Sequence, residues 1–331
     1  GVNISANGGA GPIGIEKGNR DSTDGGGAGG SAGGGGRVFL EAVTSLINHE
    51  SGSNSNITAT GGQSAGARHG SDGTVKILRP QVTELVFTSG GLTIDTDFGT
   101  ITHTDGSFLA GVLTDHTYTA PDDTEYAYKI CTFTADQINL SSAVIVTLQG
   151  SNALSLKTRN HGDITISTSL VGDGAMNLTN NDGGVGRLGG WNGGNKDADG
   201  HGPGAGKKRT RDPNNNDGGG GGYGDYGGHG NWHTGESTNP WGLPYGDRAV
   251  THLLGGSGGG GGQNRAGGSG GGAIELAADG SGAITIEAGA KISVNGGDTS
   301  DKNKGGGAGS GGSIRLSGGS ITNLGTLQAS G

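Results

Sequence analysis

The segments Gly272-Ala273-Ile274-Glu275-Leu276-Ala277 and Gly312-Ser313-Ile314-Arg315-Leu316-Ser317 share one pattern: a glycine, a small residue, then two branched apolar residues separated by a charged one. Side chains alternate faces along an extended chain, so Ile274 and Leu276 point one way and Glu275 the other. Each segment therefore reads as a strand with one buried and one wet face. Two further copies stand at Gly36-Arg37-Val38-Phe39-Leu40-Glu41 and Gly73-Thr74-Val75-Lys76-Ile77-Leu78. Val38 and Val75 are 37 residues apart, and Ile274 and Ile314 are 40 apart. Strands this short bury a core only by stacking one repeat on the next.

A second signature recurs between these strands. It reads Ile4-Ser5-Ala6-Asn7-Gly8-Gly9, Ile57-Thr58-Ala59-Thr60-Gly61-Gly62 and Ile292-Ser293-Val294-Asn295-Gly296-Gly297, with Leu327-Gln328-Ala329-Ser330-Gly331 as a shortened form. The repeat is then strand, Asn/Gly corner, glycine-rich excursion, strand. Between 125 and 170 the alternation is purest, with Phe133, Ile138, Leu140, Val144, Val146, Leu148, Leu154, Leu156, Ile164 and Ile166 at strand spacing. The expected fold is all-β, a parallel β-helix (β-solenoid) with long glycine-rich excursions. Its expected parts are solenoid coils over 1–83, a less regular β insertion over 84–124 whose turns carry more acid and proline, regular coils over 125–182, a glycine- and aromatic-rich insertion over 183–272, and further coils over 273–331.

Glycine supplies 80 of the 331 residues. Such a fraction ordinarily marks a disordered chain. Collagen is excluded because the glycines come in runs, not at every third place, and proline is scarce. Helical folds are disfavoured, since glycine costs about 1 kcal/mol per residue in a helix interior. The runs at 25–36, 218–222, 258–262 and 305–312 have no side chains to hold them, so their backbones must do so. Extended runs with three residues per turn can lie side by side and exchange N–H···O bonds, and a polyglycine-II-like sheath on one flank is the expected form.

The formal charge is −9 with 9 histidines neutral, which argues against a nucleic-acid partner. The basic run Lys207-Lys208-Arg209-Thr210-Arg211 is balanced by Asp197, Asp199, Asp212 and Asp217. Cys131 is the one cysteine and sits in the alternating stretch Tyr128–Phe133, where a buried free thiol is expected. The longest apolar run, Ala143-Val144-Ile145-Val146, is far short of the about 20 residues that span a bilayer. Low cysteine, scarce lysine and abundant Gly, Ser, Thr and Asn point to an extracellular or cell-surface setting. Sequons at Asn3, Asn56, Asn139 and Asn177 are compatible with it.

Three groups of residues are candidates for function. The end motifs join: Leu327 to Gly331 followed by Gly1 and Val2 would restore the Ile4 signature, so head-to-tail assembly into a homo-oligomer or filament through Val2, Ile4, Leu324 and Leu327 is expected. The chain is then either one period of a longer array or a subunit that stacks head to tail, each end strand capping the next. The insertion holds Trp191, Trp232, Trp241, Tyr223, Tyr226 and Tyr245, which either stack on a glycan or another surface or pin a long insertion in place. Asn195, Asp197 and Asp199, followed by Gly200, match the opening of a calcium loop, but Gly206 stands where its glutamate belongs. His229 and His233 are spaced for a transition metal only if a helix sets the spacing. For catalysis there is no Gly-x-Ser-x-Gly elbow, phosphate loop or zincin motif, and nothing separates Asp95, Asp97, Asp122 and Asp123 from surface acids.

The stretch Tyr128 to Leu170, the glycine-rich excursions, and the strands Ala273-Ile274-Glu275-Leu276 and Ser313-Ile314-Arg315-Leu316 resemble the large glycine-rich parallel β-helix exoproteins of bacteria. The resemblance covers about two thirds of the chain and implies a secreted or surface-displayed structural or adhesive role. The expected function is a non-enzymatic structural subunit of an extracellular fibre or surface layer. An adhesin using the aromatic loop 191–245 is the alternative, and a polysaccharide-cleaving β-helix the third.

Overall fold

The computed structural model describes residues 82–176, 179–208, 217–229, 241–299 and 305–331, and the backbone of four short strands before residue 81. The chain divides into two units, Gly1–Pro80 and Gln81–Gly331. In the first, β1 (Ile4–Ser5) pairs in parallel with β3 (Ile57–Thr58), and β2 (Arg37–Glu41) pairs in parallel with β4 (Thr74–Leu78). The register sets Ile4 beside Ile57 and Val38 beside Val75, so like motifs pair with like.

The second unit is laid down in five passes. The first gives β5 (Leu85–Phe87) and β6 (Gly90–Asp95), followed by β7 (Thr100–His103), β8 (Phe108–Ala110) and β9 (Val112–Thr119). The second gives β10 (Glu125–Ala135), β11 (Ile138–Leu140) and β12 (Val144–Gln149), and the third β13 (Ala153–Thr158), β14 (Ile164–Ile166) and β15 (Ser169–Val171). The fourth gives β16 (Ala273–Ala277), β17 (Ala283–Ile286) and β18 (Lys291–Ser293), and the last β19 (Ser313–Ser317), β20 (Ser320–Asn323) and β21 (Thr326–Gln328).

Strands from successive passes pair in register, and that register lines up the apolar side chains. Cys131, Leu154, Ile274 and Ile314 form one column, and Phe133, Leu156, Leu276 and Leu316 the next. Leu85, Ile138, Ile164, Ile284 and Ile321 form a third, while Leu170, Ile292 and Leu327 form a fourth. Their inner members are almost completely buried in a single core. Each such side chain contributes roughly 1.5–3 kcal/mol on leaving water.

These passes do not make the single parallel β-helix that the repeats predict. Among the described residues the strands divide into six separate sheets of mixed direction, with no helix. One sheet runs β19-β16-β13-β10-β9 and another β20-β17-β14-β11-β5, but the remaining side is broken into β12-β6-β7-β8 and β15-β18-β21. β9 joins β10 antiparallel, as β7 joins β6 and β8 joins β7. The cause lies in the turns of 84–124. The Asp123 N–H donates to the Ala120 carbonyl and the Ala120 N–H to the Thr124 carbonyl across Pro121-Asp122-Asp123, with Asp123 at φ 63° and the Thr124 N–H held by Asp122. A turn this tight returns the chain as a hairpin, whereas a parallel partner needs a long crossover.

Residues 172–272 leave after β15 and return at β16, and the Gly272 N–H bonds to the Gly172 carbonyl at 2.8 Å. Inside this excursion the glycine runs lie side by side. Gly256, Gly259 and Gly262 donate to the carbonyls of Gly271, Gly268 and Arg265 at 2.7, 3.0 and 2.8 Å, a step of three residues on each run in opposite directions. Gly258 and Gly261 donate to His201 and Ala198 at 2.9 and 2.7 Å, and Gly260 donates to Gly219 at 2.8 Å. Donors that return to the same neighbour every third residue are those of an extended helix with three residues per turn. The run 305–312 joins from the other side, through Gly307 N–H to Gly260 and Ser310 N–H to Ser257.

Close approach is why these positions are glycine. A Cβ at Gly258, Gly259 or Gly260 would lie 2.0–2.1 Å from the carbonyl oxygen of Asn192, Gly307 or Lys207 respectively, three neighbours in three directions. At Gly270 it would lie 1.7 Å from the Gly256 oxygen. The bundle is tied to the strands by backbone bonds from Leu188 to Gly150, Gly189 to Ser151 and Ala273 to Leu188, and by the buried side chain of Leu188.

Candidate functional site

Two regions gather the residues singled out in the sequence, and both follow from how strands present their side chains. The first is the last pass. β19, β20 and β21 each end a sheet, so each has one side of its backbone ladder open among the described residues. The apolar columns reach this pass and emerge: Ile321 is 47% exposed, Leu324 61% and Leu327 37%, whereas Ile284 and Ile292 one pass earlier are fully buried. Leu324 and Leu327 thus lie on one open end, with Ile321 beside them. Ile4 is in β1, where its backbone alone is described, and Val2 lies outside the described residues.

The second region is aromatic. In the antiparallel pair β9–β10, Tyr118 stands opposite Tyr126 and His116 opposite Tyr128, so all four side chains share one face. His116 and Tyr128 stack with ring centroids 5.3 Å apart. The insertion lays its own aromatics on this ladder. Trp191 meets Tyr126 edge-on at 5.6 Å, and Tyr245 meets Tyr118 at 6.1 Å and Tyr223 at 4.7 Å. Tyr245 is buried and donates its hydroxyl to the Gly255 carbonyl at 2.5 Å, while the Tyr118 hydroxyl accepts the Gly246 N–H at 2.9 Å. Burial pushes the Tyr245 phenol well above its ordinary range and raises those of Tyr223, Tyr126 and Tyr128.

The six aromatics of the loop therefore separate. Tyr245 and Tyr223 pack into the tyrosine cluster, Trp191 is half-buried against Tyr126, Trp241 is half-buried with His229 5.8 Å away, and Tyr226 is 60% exposed. Trp232 and His233 lie outside the described residues. The sequence reading missed His116, Tyr118, Tyr126 and Tyr128. Their signal was present as aromatic residues at alternate positions on both sides of the Pro121 turn, which a hairpin places on one face.

Asn195 and Asp199 are engaged with neighbouring groups of the insertion. The Asn195 Oδ1 accepts the Gly183 N–H at 3.0 Å, and Asp199 holds the Lys208 N–H at 2.8 Å and the Lys207 ammonium at 3.5 Å. Asp197 takes a left-handed backbone, φ 59°. Among the described residues no group of three or more His, Cys, Asp or Glu is placed to hold a metal ion. Asp95 and Asp97 are occupied in the corner beside β6. Asp95 accepts the N–H groups of Asp97 and Phe98 and the Gln149 amide, and Asp97 accepts from Ser151 and Asn152.

On the outer face of β13, β16 and β19, Glu275 is buried between charged neighbours. It accepts the Ser155 hydroxyl at 2.6 Å and stands 3.3 Å from the Lys157 ammonium and 3.5 Å from the Arg315 guanidinium. Cys131 is fully buried and free, and burial, with Asp95 and Asp97 nearby, pushes its thiol up to about 11. No helix among the described residues is long and apolar enough to cross a membrane. Comparison with protein-family models, with curated proteins and with solved structures finds no match to this chain.

Proposed function

We propose that the chain is a structural subunit of an extracellular fibre or surface layer and assembles head to tail. The observation that carries this reading is the last pass, where among the described residues three strand edges stand open together and the core columns end in exposed Ile321, Leu324 and Leu327. An open edge with an apolar face is a template for another strand. A second copy offering strands of the same kind supplies both the missing hydrogen bonds and the next member of each column, and β1 to β4 carry that pattern. The motif-on-motif registers of Ile4 with Ile57 and Ile292 with Leu327 show that such strands pair in parallel. An isologous contact closes as a dimer, whereas unlike ends joining produce an open filament.

The mechanism is mechanical. Stacked apolar columns resist bending, and the backbone-bonded glycine bundle adds a second stiff body without side chains. The extracellular setting rests on composition: one cysteine, few lysines and a quarter glycine. Light scattering of the full chain across a wide concentration range, with negative-stain microscopy, tests the reading. Concentration-dependent growth into filaments, abolished in the double variant Ile321→Lys/Leu327→Lys, is the expected result. A monodisperse monomer at every concentration overturns it.

A further inference from the structure

A cleft of about 350 Å³ opens beside the aromatic ladder, between the hairpin residues 115–117 and 127–129, the corner at Ser151 and Asn152, and the glycine turn leading to Trp191. This is a ligand-sized space, near the lower end of the about 300–1,000 Å³ usual for small-molecule sites. We infer that it is a binding site for a short neutral saccharide.

The wall is aromatic and held in place before any ligand arrives. Tyr128 is stacked on His116, whose Nε2 lies 3.0 Å from the Thr114 hydroxyl. Trp191 is fixed on both sides of its backbone, donating to Gly256 at 3.0 Å and accepting from Gly270 at 2.8 Å, and its ring rests on the edge of Tyr126. The floor is Gly189 and Gly190. A Cβ on Gly190 would strike the Gly270 oxygen at 2.4 Å, so bundle packing keeps the floor bare. Preorganised aromatic surfaces lose little conformational entropy when they bind.

The chemistry of the lining narrows the ligand. Lys129 is the one cation there and is paired with Asp115 at 3.1 Å, so no free positive charge draws an anion or a nucleic acid. The lining has no branched aliphatic residue, which disfavours a lipid. What remains is aromatic faces bordered by Ser151, Asn152, Thr117 and bare backbone. A sugar ring matches this set: its C–H face lies on an aromatic ring while its hydroxyls meet the polar border. The site involves none of the last-pass residues, so it stands apart from assembly.

The test is an array of immobilised neutral oligosaccharides probed with the full chain, followed by titration of any retained sugar. Wild type is expected to retain at least one neutral glycan. Tyr128→Ala and His116→Ala are each expected to weaken it about tenfold or more, while Tyr226→Ala, outside the cleft, leaves affinity unchanged. His116 is exposed, so its variant is expected to keep the fold, which circular dichroism verifies. Retention of no neutral glycan, retention of anionic glycans alone, or binding that survives both Tyr128→Ala and His116→Ala overturns the inference.

Discussion

The strand passes and the glycine bundle solve the same problem with opposite means. Each must satisfy every buried N–H and C=O. In the passes, backbones pair at sheet spacing and side chains such as Leu156, Ile164 and Ile284 fill the space between. In the bundle the backbones fill that space themselves, and the room a side chain would need is occupied by a neighbour's carbonyl. One region is therefore sensitive to what is removed, the other to what is added. A missing methyl in the passes leaves a cavity that neighbours partly close; an added methyl in the bundle meets an atom that is itself hydrogen-bonded and has nowhere to go.

The sharpest way to break that contrast is Gly270→Ala, whose Cβ would sit 1.7 Å from the Gly256 oxygen. The expected loss exceeds about 4 kcal/mol, the range reserved for severe local disruption. Hydrogen exchange should show the bundle amides losing protection while strand amides keep theirs. Leu156→Ala is the complementary deletion and is expected to cost about 3 kcal/mol in urea unfolding, with strand amides affected first. Glu275→Ala leaves Lys157 and Arg315 without their carboxylate; both are more than a third exposed, so water compensates and about 1–2 kcal/mol is expected.

Cys131 probes the passes through pH. Its thiol ionises near 9.0 when unfolded and near 11 in the fold, so folding favours the protonated form. That stability is complete below pH 9 and is lost as pH rises from 9 to 11. At pH 8 a thiol reagent should label the chain only after unfolding. The smallest effect belongs to Gly224→Ala. Nothing lies within 4 Å of its Cβ position, and a change within about 0.5 kcal/mol is expected. Gly224→Ala and Gly270→Ala are the same substitution, and equal outcomes would refute the close-packing account.

Much of the strand pattern could be read directly. Alternation placed strands at 37–41, 74–78, 273–277 and 313–317, because period two is a local property that needs no knowledge of partners. Partnership was harder. Nothing within Val112 to Thr119 states that it will fold back on Glu125 to Ala135; the Pro121-Asp122-Asp123 turn decides it, and with the other turns of 84–124 it brings antiparallel pairs into sheets that are otherwise parallel. The aromatic ladder was hidden for the same reason, since His116 and Tyr128 become neighbours only across that turn. In the bundle, one glycine run is chemically the same as another. Which run lies against which is set by flanking residues such as Leu188 and Trp191, whose contacts lie far away in sequence. The place of Leu327 was legible because it repeats that of Ile4, Ile57 and Ile292 in a motif seen earlier in the chain.

The bond from Gly272 to Gly172 has a consequence for how such a chain can change. The point of departure from β15 and the point of return to β16 touch, so the excursion leaves and re-enters the strand passes through a closed neck. Loop-closure entropy grows only logarithmically with length, each doubling adding about 0.6 kcal/mol. Open turns inside the neck, such as the one at Gly224, can therefore lengthen at small cost, while the runs bonded to 305–312, Gly150 and Ser151 hold the excursion in place.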